Sequence, residues 1–222
     1  QQALKHALDK RQVDLPVVSL VTQMEVDPQD PAFSDPTKPI GPFYTEEEAK
    51  TLAQEKGYTV KEDAGRGWRR VVASPRPIQV VEIETVKALW GKTVVVTCGG
   101  GGIPVIKNED GSFEGVAAVI DKDFAAERLA EEMDADILLI LTEVEKASLY
   151  FRTPQEQKLG HIRVDEALRY IDEGHFAAGS MLPKMKAAAM FAGSKPGRKA
   201  IIASLFQARE AMEGVCGTVI EG

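Results

Sequence analysis

Two cysteines, two tryptophans and three histidines are all that the 222 residues hold of these types. Cys98 and Cys216 are too few and too far apart for the disulfide framework of a secreted domain, and two thiols suit a reducing compartment. His6, His161 and His175 lack the spacing of metal ligands, so no protein-built metal site is expected. No Ser/His/Asp or Cys/His signature has local context, and a Walker A motif is missing. Positive charge is in deficit: 27 Lys and Arg against 34 Asp and Glu give a formal net charge of −7. Without a basic run, nucleic acid is not an expected partner. No apolar run approaches a membrane span and nothing reads as a signal peptide, so a cytoplasmic protein with no membrane association is expected.

What is present is the pattern of an α/β domain large enough to bury a substantial core. Leu4 and Leu8 lie one turn apart in an opening helix that starts without a cap or a turn, so sequence N-terminal to Gln1 is expected. Leu15–Met24 reads as one buried strand. Residues 27–75 are punctuated by Pro28, Pro31, Pro36, Pro39 and Pro42 and read as an inserted subdomain or lid. Within it, Thr45 and Glu48 are spaced as a capping box for a helix to Lys56, and Trp68–Val72 reads as a strand.

Ile78–Trp90 reads as a helix stopped by Gly91, and Thr93–Cys98 as a strand at the centre of a parallel sheet. Ile103–Val119 reads as a hairpin turning at Asn108–Gly111. Helices are predicted over Phe124–Met133, Val164–Ile171, Pro183–Ala192 and Gln207–Glu213. Strands are predicted over Ile137–Leu141, Lys199–Leu205 and Thr218–Ile220. The alternation predicts a mostly parallel central sheet sandwiched by helices.

Three constellations carry chemistry. Cys98 is followed by Gly99, Gly100, Gly101 and Gly102 directly after a strand, where backbone N–H groups free of side chains can approach an anion. A flexible turn is the alternative. Asp121-Lys122-Asp123 follows apolar Val119-Ile120 just before a helix, where a lysine can neutralise a transferring phosphoryl group and a carboxylate can orient lysines. A solvated salt bridge is the ordinary reading of such a cluster. Gly179–Lys184 places Pro183 in the first turn of a helix and sets Lys184 against the unfavourable end of its dipole. That placement points to a bound anion; a solvated first-turn lysine is the alternative. Thr142-Glu143-Val144, with Tyr150-Phe151 and Pro154, reads equally as a purine pocket or as a packed loop.

These segments together resemble the carbamate kinases of the amino-acid-kinase fold family. The matching stretches are Gln23–Pro28, Asp35–Tyr44, Gly65–Val72, Gly99–Val105, Ala118–Asp123 and Gly174–Lys184, in family order along the whole chain. The resemblance implies reversible phosphoryl transfer between carbamoyl phosphate and ADP, giving ATP and carbamate, with Mg²⁺ accompanying the nucleotide. It further implies a homodimer with only small-molecule substrates as other partners, and a place in arginine metabolism.

By the same resemblance Lys184 and Lys122 match lysines at the transferring phosphoryl group, and Asp123 the carboxylate that organises both. Lys38 matches a lysine of the protruding subdomain that reaches over the carbamoyl-phosphate end. Gly100 and Gly101 fall in the loop that cradles carbamate or phosphate. Thr142, Glu143, Val144, Tyr150 and Met181 lie in segments expected around the nucleotide. The family's opening strand and Gly-Gly-Asn-containing phosphate loop have no counterpart here, so Gln1 aligns partway into the family chain. The natural protein is therefore expected to be longer, and these 222 residues alone to be inactive and poorly folded. Two other readings stay open: a different kinase of the same fold, against which Asp35–Tyr44 counts, and a nucleotide-binding protein without catalysis, against which Lys122, Asp123 and Lys184 count.

Overall fold

Backbone hydrogen bonding breaks the first predicted strand in two. The computed structural model describes residues 1–63 and 65–222, and its chain divides into an N-terminal unit, Gln1–Lys122, and a C-terminal unit, Asp123–Gly222. In the first, helix α1 (Gln2–Lys10) leads to strands β1 (Val17–Ser19) and β2 (Gln23–Val26). Leu15–Met24 is thus not one strand, and its halves join different sheets. Leu20 N–H still reaches Val96 O at 2.9 Å. Thr22 Oγ1 instead accepts the Cys98 N–H at 2.8 Å, and the Glu82 carboxylate takes the Gln23 N–H at 2.8 Å. Those side-chain bonds replace the ladder and release β2 to a new neighbour.

Next come β3 (Lys38–Tyr44), α2 (Glu46–Lys56), β4 (Val60–Glu62) and β5 (Trp68–Val72). The three strands form an antiparallel sheet in the order β3-β5-β4. The capping box forms as its spacing predicts: Thr45 Oγ1 accepts the Glu48 N–H at 3.2 Å, and Glu48 accepts the Thr45 N–H at 2.8 Å. Gly57 ends the helix at φ 65°, a left-handed position that costs glycine nothing. Beside β3 the Phe43 ring meets the guanidinium groups of Arg66 at 5.0 Å and Arg69 at 5.1 Å.

Strand β6 (Pro77–Val80) and helix α3 (Ile83–Leu89) replace the single helix expected over Ile78–Trp90. Ile78 and Val80 fit a two-residue period as well as a helical one, and pairing of β6 with β2 decides it. Strand β7 (Val94–Val96) pairs in parallel with β1 and is half-buried. Strands β8 (Ile103–Lys107) and β9 (Phe113–Gly115) form the expected hairpin, with Asn108 N–H bonded to Ser112 O at 2.8 Å across the turn. They complete a sheet of order β6-β2-β8-β9 in which β2 and β8 are parallel. Met24, Val26, Val80, Val105 and Ile120 are buried in this unit.

Helix α4 (Lys122–Glu132) opens one residue earlier than Asp123, so the Asp121-Lys122-Asp123 segment is partly the helix's first turn, not wholly a preceding loop. The C-terminal unit continues with β10 (Ile137–Thr142), β11 (Ser148–Leu149), β12 (Gln157–Lys158), β13 (His161–Arg163) and α5 (Val164–Asp172). It ends with α6 (Met181–Gly193), β14 (Lys199–Ser204), α7 (Ala208–Met212) and β15 (Thr218–Glu221). The sheet order is β10-β14-β15-β13, with β10·β14 and β13·β15 parallel and β14·β15 antiparallel. The architecture is α/β with mixed sheets.

Alternation along the strands sends Leu138, Ile140, Ile162, Ile202 and Ile220 into one core with Met185, Ala188, Phe191 and Ala192 of α6. The small alanines let α6 lie close to the sheet. Ile201 and Ala203 point the other way, onto Ala211 of α7. Thr218 joins the β11–β12 hairpin to this core: its hydroxyl accepts the Ala147 N–H at 2.9 Å and donates to Leu159 O at 2.7 Å. Thr218 is fully buried. Thr218→Val keeps the shape but leaves both backbone groups without these bonds, and should cost about 2–3 kcal/mol in urea unfolding. Thr218→Ser should cost clearly less.

Candidate active site

In the C-terminal unit, the carboxyl end of β10 and the amino end of α6 open onto one cavity of about 710 Å³. That is the size of a small-molecule site, and it lies at the end of a parallel strand where α/β sheets bind ligands. Thr142, Glu143 and Val144 line it directly after β10, with Tyr150 on the turn beyond β11. Met181 and Lys184 line it from the first turn of α6. Ser180 occupies the N-cap of that helix without a side-chain cap bond, and the Ala177 carbonyl accepts the Leu182 N–H at 3.1 Å, so the positive end of the helix dipole is only partly met by the protein itself.

Lys184 is held in place by a carboxylate. Its Nζ donates to Asp123 Oδ2 at 2.8 Å and Oδ1 at 3.2 Å. Both side chains are largely withdrawn from water, at 12% exposure for Lys184 and 8% for Asp123. In that setting a fixed ammonium exerts a far stronger field than it would in solvent. Lys122, the first residue of α4, is exposed.

A second pair belongs to the N-terminal unit. Lys38 Nζ, at the start of β3, donates to Asp121 Oδ2 at 2.6 Å, with side-chain exposures of 30% and 13%. Sequence spacing offers no means of joining residues 38 and 121. Gly100 and Gly101 lie in a single 3₁₀ turn after β7. A Cβ at Gly101 would collide with the Ile120 carbonyl, so the glycine backbone packs directly against the residue preceding Asp121. Gly100 has open space around it and φ 69°.

His175 is the residue sequence reasoning passed over. A lone histidine without ligand spacing carries no signal, yet it lines the cavity beside Gly174, Phe176 and Ala177. Its place after Gly174, which ends α5 at φ 77°, was the available clue. Lys146, Ser148, Phe151, Arg152 and Thr153 also line the cavity, whereas Pro154 does not. Among the described residues no group of three or more His, Cys, Asp or Glu side chains could hold a metal ion.

The sequence profile of the amino acid kinase family matches residues 29–204. The chain is 57% identical over 221 residues to the carbamate kinase-like protein YqeA of Escherichia coli K12, covering 99% of itself and 71% of that protein. It is 56% identical over 221 residues to carbamate kinase of Pyrococcus furiosus, with 99% and 70% covered. The structure of Giardia lamblia carbamate kinase bound to AMP-PNP superposes with a TM-score of 0.88 at 45% identity, over 99% of this chain and 70% of that one. The chain thus belongs to the amino acid kinase family, and its relatives within that family are the carbamate kinase phosphotransferases.

Proposed function

We propose that this protein catalyses reversible phosphoryl transfer between carbamoyl phosphate and ADP, yielding ATP and carbamate. An oxygen of the ADP β-phosphate forms the new P–O bond while the bond from phosphorus to the carbamoyl oxygen breaks, and carbamate departs with that electron pair. No enzyme nucleophile is needed; the work is positioning and charge neutralisation. The observation that carries the reading is Lys184, fixed by Asp123 at the first turn of α6 and lining a nucleotide-sized cavity.

In this reading Thr142, Glu143, Val144, Tyr150 and Met181 hold the nucleotide. Lys184 neutralises the phosphoryl oxygens as charge redistributes, and Asp123 keeps its ammonium in place. Lys122 supplies a second positive charge. Lys38 serves the carbamoyl-phosphate end, and in the Gly100-Gly101 turn Gly100 offers its backbone N–H to the anion while the Gly101 N–H closes the turn on Cys98 O at 3.0 Å. Residues 27–75 act as the protruding lid that carries Lys38. Mg²⁺ characteristically keeps most of its ligands as water and phosphate oxygens, adding one or two carboxylates at most. No protein-built cage is needed for that, and the ion would supply further positive charge to the phosphate oxygens. A homodimer in the cytoplasm completes the proposal.

The test is ATP formation from ADP with carbamoyl phosphate, set against acetyl phosphate as donor and N-acetylglutamate as an acceptor from ATP. ATP from carbamoyl phosphate alone is the expected result. Phosphorylation of N-acetylglutamate would assign a different kinase of this fold. ADP binding without ATP formation would assign a nucleotide-binding protein without catalysis.

A further inference from the structure

The wall of the cavity formed by Tyr150 is strained, and something must hold it. Tyr150 has φ 52° and Arg152 φ 62°, so two bulky residues of one turn occupy left-handed backbone that L side chains resist. Thr153 secures the turn from the inside: its N–H reaches Tyr150 O at 3.0 Å and its hydroxyl donates to the same carbonyl at 2.7 Å. The Arg152 N–H is taken by Glu156 at 3.1 Å. These bonds fix the backbone but leave the Tyr150 ring, half exposed at the cavity, free to swing about its own side-chain torsions.

His175 restrains the ring. Its imidazole meets Tyr150 edge to face, with centroids 4.7 Å apart and planes at 83°. Tyr170 also meets the imidazole, at 6.0 Å and 76°. The imidazole is itself anchored, with Nε2 3.1 Å from Glu173 Oε2, its backbone N–H bonded to Tyr170 O at 3.3 Å, and only 12% of its side chain exposed. A ring in contact with two tyrosines, bonded at Nε2 and lining a ligand cavity, is built to define where Tyr150 stands. The Glu173 partner satisfies the ring nitrogen as any buried imidazole requires, and what sets His175 apart is its contact with an aromatic side chain that itself lines the cavity.

We infer that His175 is a positioning residue for nucleotide recognition: it holds Tyr150 as the aromatic wall against which the flat purine base of ADP or ATP rests. This rests on the nucleotide reading of the cavity given above. The base touches Tyr150; His175 acts through it. A ring that is already fixed loses no rotamer freedom when the base arrives, so affinity is gained by pre-organisation and not by a new contact.

The experiment is ADP binding by calorimetry, with steady-state kinetics alongside, on wild type, His175→Ala, His175→Phe, Tyr150→Ala and the double variant. His175→Ala should weaken ADP binding about three- to ten-fold, the range of one edge-to-face aromatic contact. KM for ADP should rise in proportion while kcat at saturating ADP stays within about two-fold, the signature of lost uniform binding. His175→Phe restores a ring at the same place and should recover most of the affinity. Tyr150→Ala should lose more than His175→Ala, and adding His175→Ala to it should change nothing further, because the residue acted upon is gone.

Additive losses in the double variant would overturn the inference, since His175 would then contact the nucleotide by itself. Wild-type affinity in His175→Ala would overturn it too, as would a fall in kcat with unchanged KM. The nucleotide reading fails separately: wild-type protein that binds no ADP removes that reading and this inference together, whereas normal ADP binding by every His175 variant removes the inference alone.

Discussion

Lys184→Met should lower the rate of ATP formation from ADP and carbamoyl phosphate roughly 10²–10³-fold, the loss seen when one fixed charge-stabilising group is removed from a dry site. Nearly all of that loss should fall on kcat, because the ammonium is worth most when charge redistributes in the transition state. The substitution has a structural cost as well. Asp123, at 8% exposure, would keep its negative charge without its lysine, and breaking such a pair costs about 3 kcal/mol or more. Lys184→Met combined with Asp123→Asn separates the two effects. Neutralising both sides should return most of the lost stability in urea unfolding while activity stays as low as in the single variant. Recovery of activity together with stability would mean that Lys184 is a structural ion-pair partner and no more.

Gly101→Ala is the second substitution with a large expected effect, and Gly100→Ala is its control. Gly101 has φ 103°, and a methyl there would be driven into the Ile120 carbonyl. Backbone on both sides would have to move, at about 3 kcal/mol or more in denaturant unfolding. Gly100 also has a positive φ, 69°, but nothing within 4 Å of an added Cβ. Its replacement should cost only about 1 kcal/mol, the ordinary penalty for alanine in left-handed backbone. The functional consequence follows the chain: Ile120 precedes Asp121, and Asp121 holds Lys38 at 2.6 Å. Gly101→Ala should therefore raise KM for carbamoyl phosphate well beyond what Gly100→Ala does. Equal costs for the two variants would mean that the glycine turn is loose and does not set the position of Asp121.

Local signals in the sequence were read correctly where the physics that decides them is local. The capping box at Thr45 and Glu48 contains every atom needed to start α2, so four residues suffice. The Asn108–Gly111 turn likewise fixes the β8–β9 hairpin, and the apolar run of β14 is long and bounded enough to be unambiguous. Failures came where distant partners decide. Leu15–Met24 has the composition of one strand, and only the side chains of Thr22 and Glu82 reveal that it changes sheets. Ile78–Trp90 satisfies a helical period throughout, and pairing with β2 overrides its first half.

The site divides along the same line. Pro183 marks the start of α6 and puts Lys184 in its first turn, and the cavity is lined by Thr142, Glu143, Val144, Tyr150 and Met181, the residues that the family resemblance groups. Spacing alone makes neither ion pair legible: Asp123 is joined to Lys184, 61 residues away, only by the family resemblance, and Lys38 to Asp121, 83 residues away, by nothing in the sequence. His175 was passed over because an isolated histidine gains meaning only from the rings beside it, and Tyr150 lies in a different loop.

The most direct measurement is the rate of ATP formation from ADP and carbamoyl phosphate by wild-type protein and by Lys184→Met, with ADP binding followed on both. The account predicts ATP from the wild type, a loss of roughly 10²–10³-fold in the variant, and ADP bound by both proteins. Wild-type protein that binds ADP yet forms no ATP, or a variant that turns over at the wild-type rate, would contradict it.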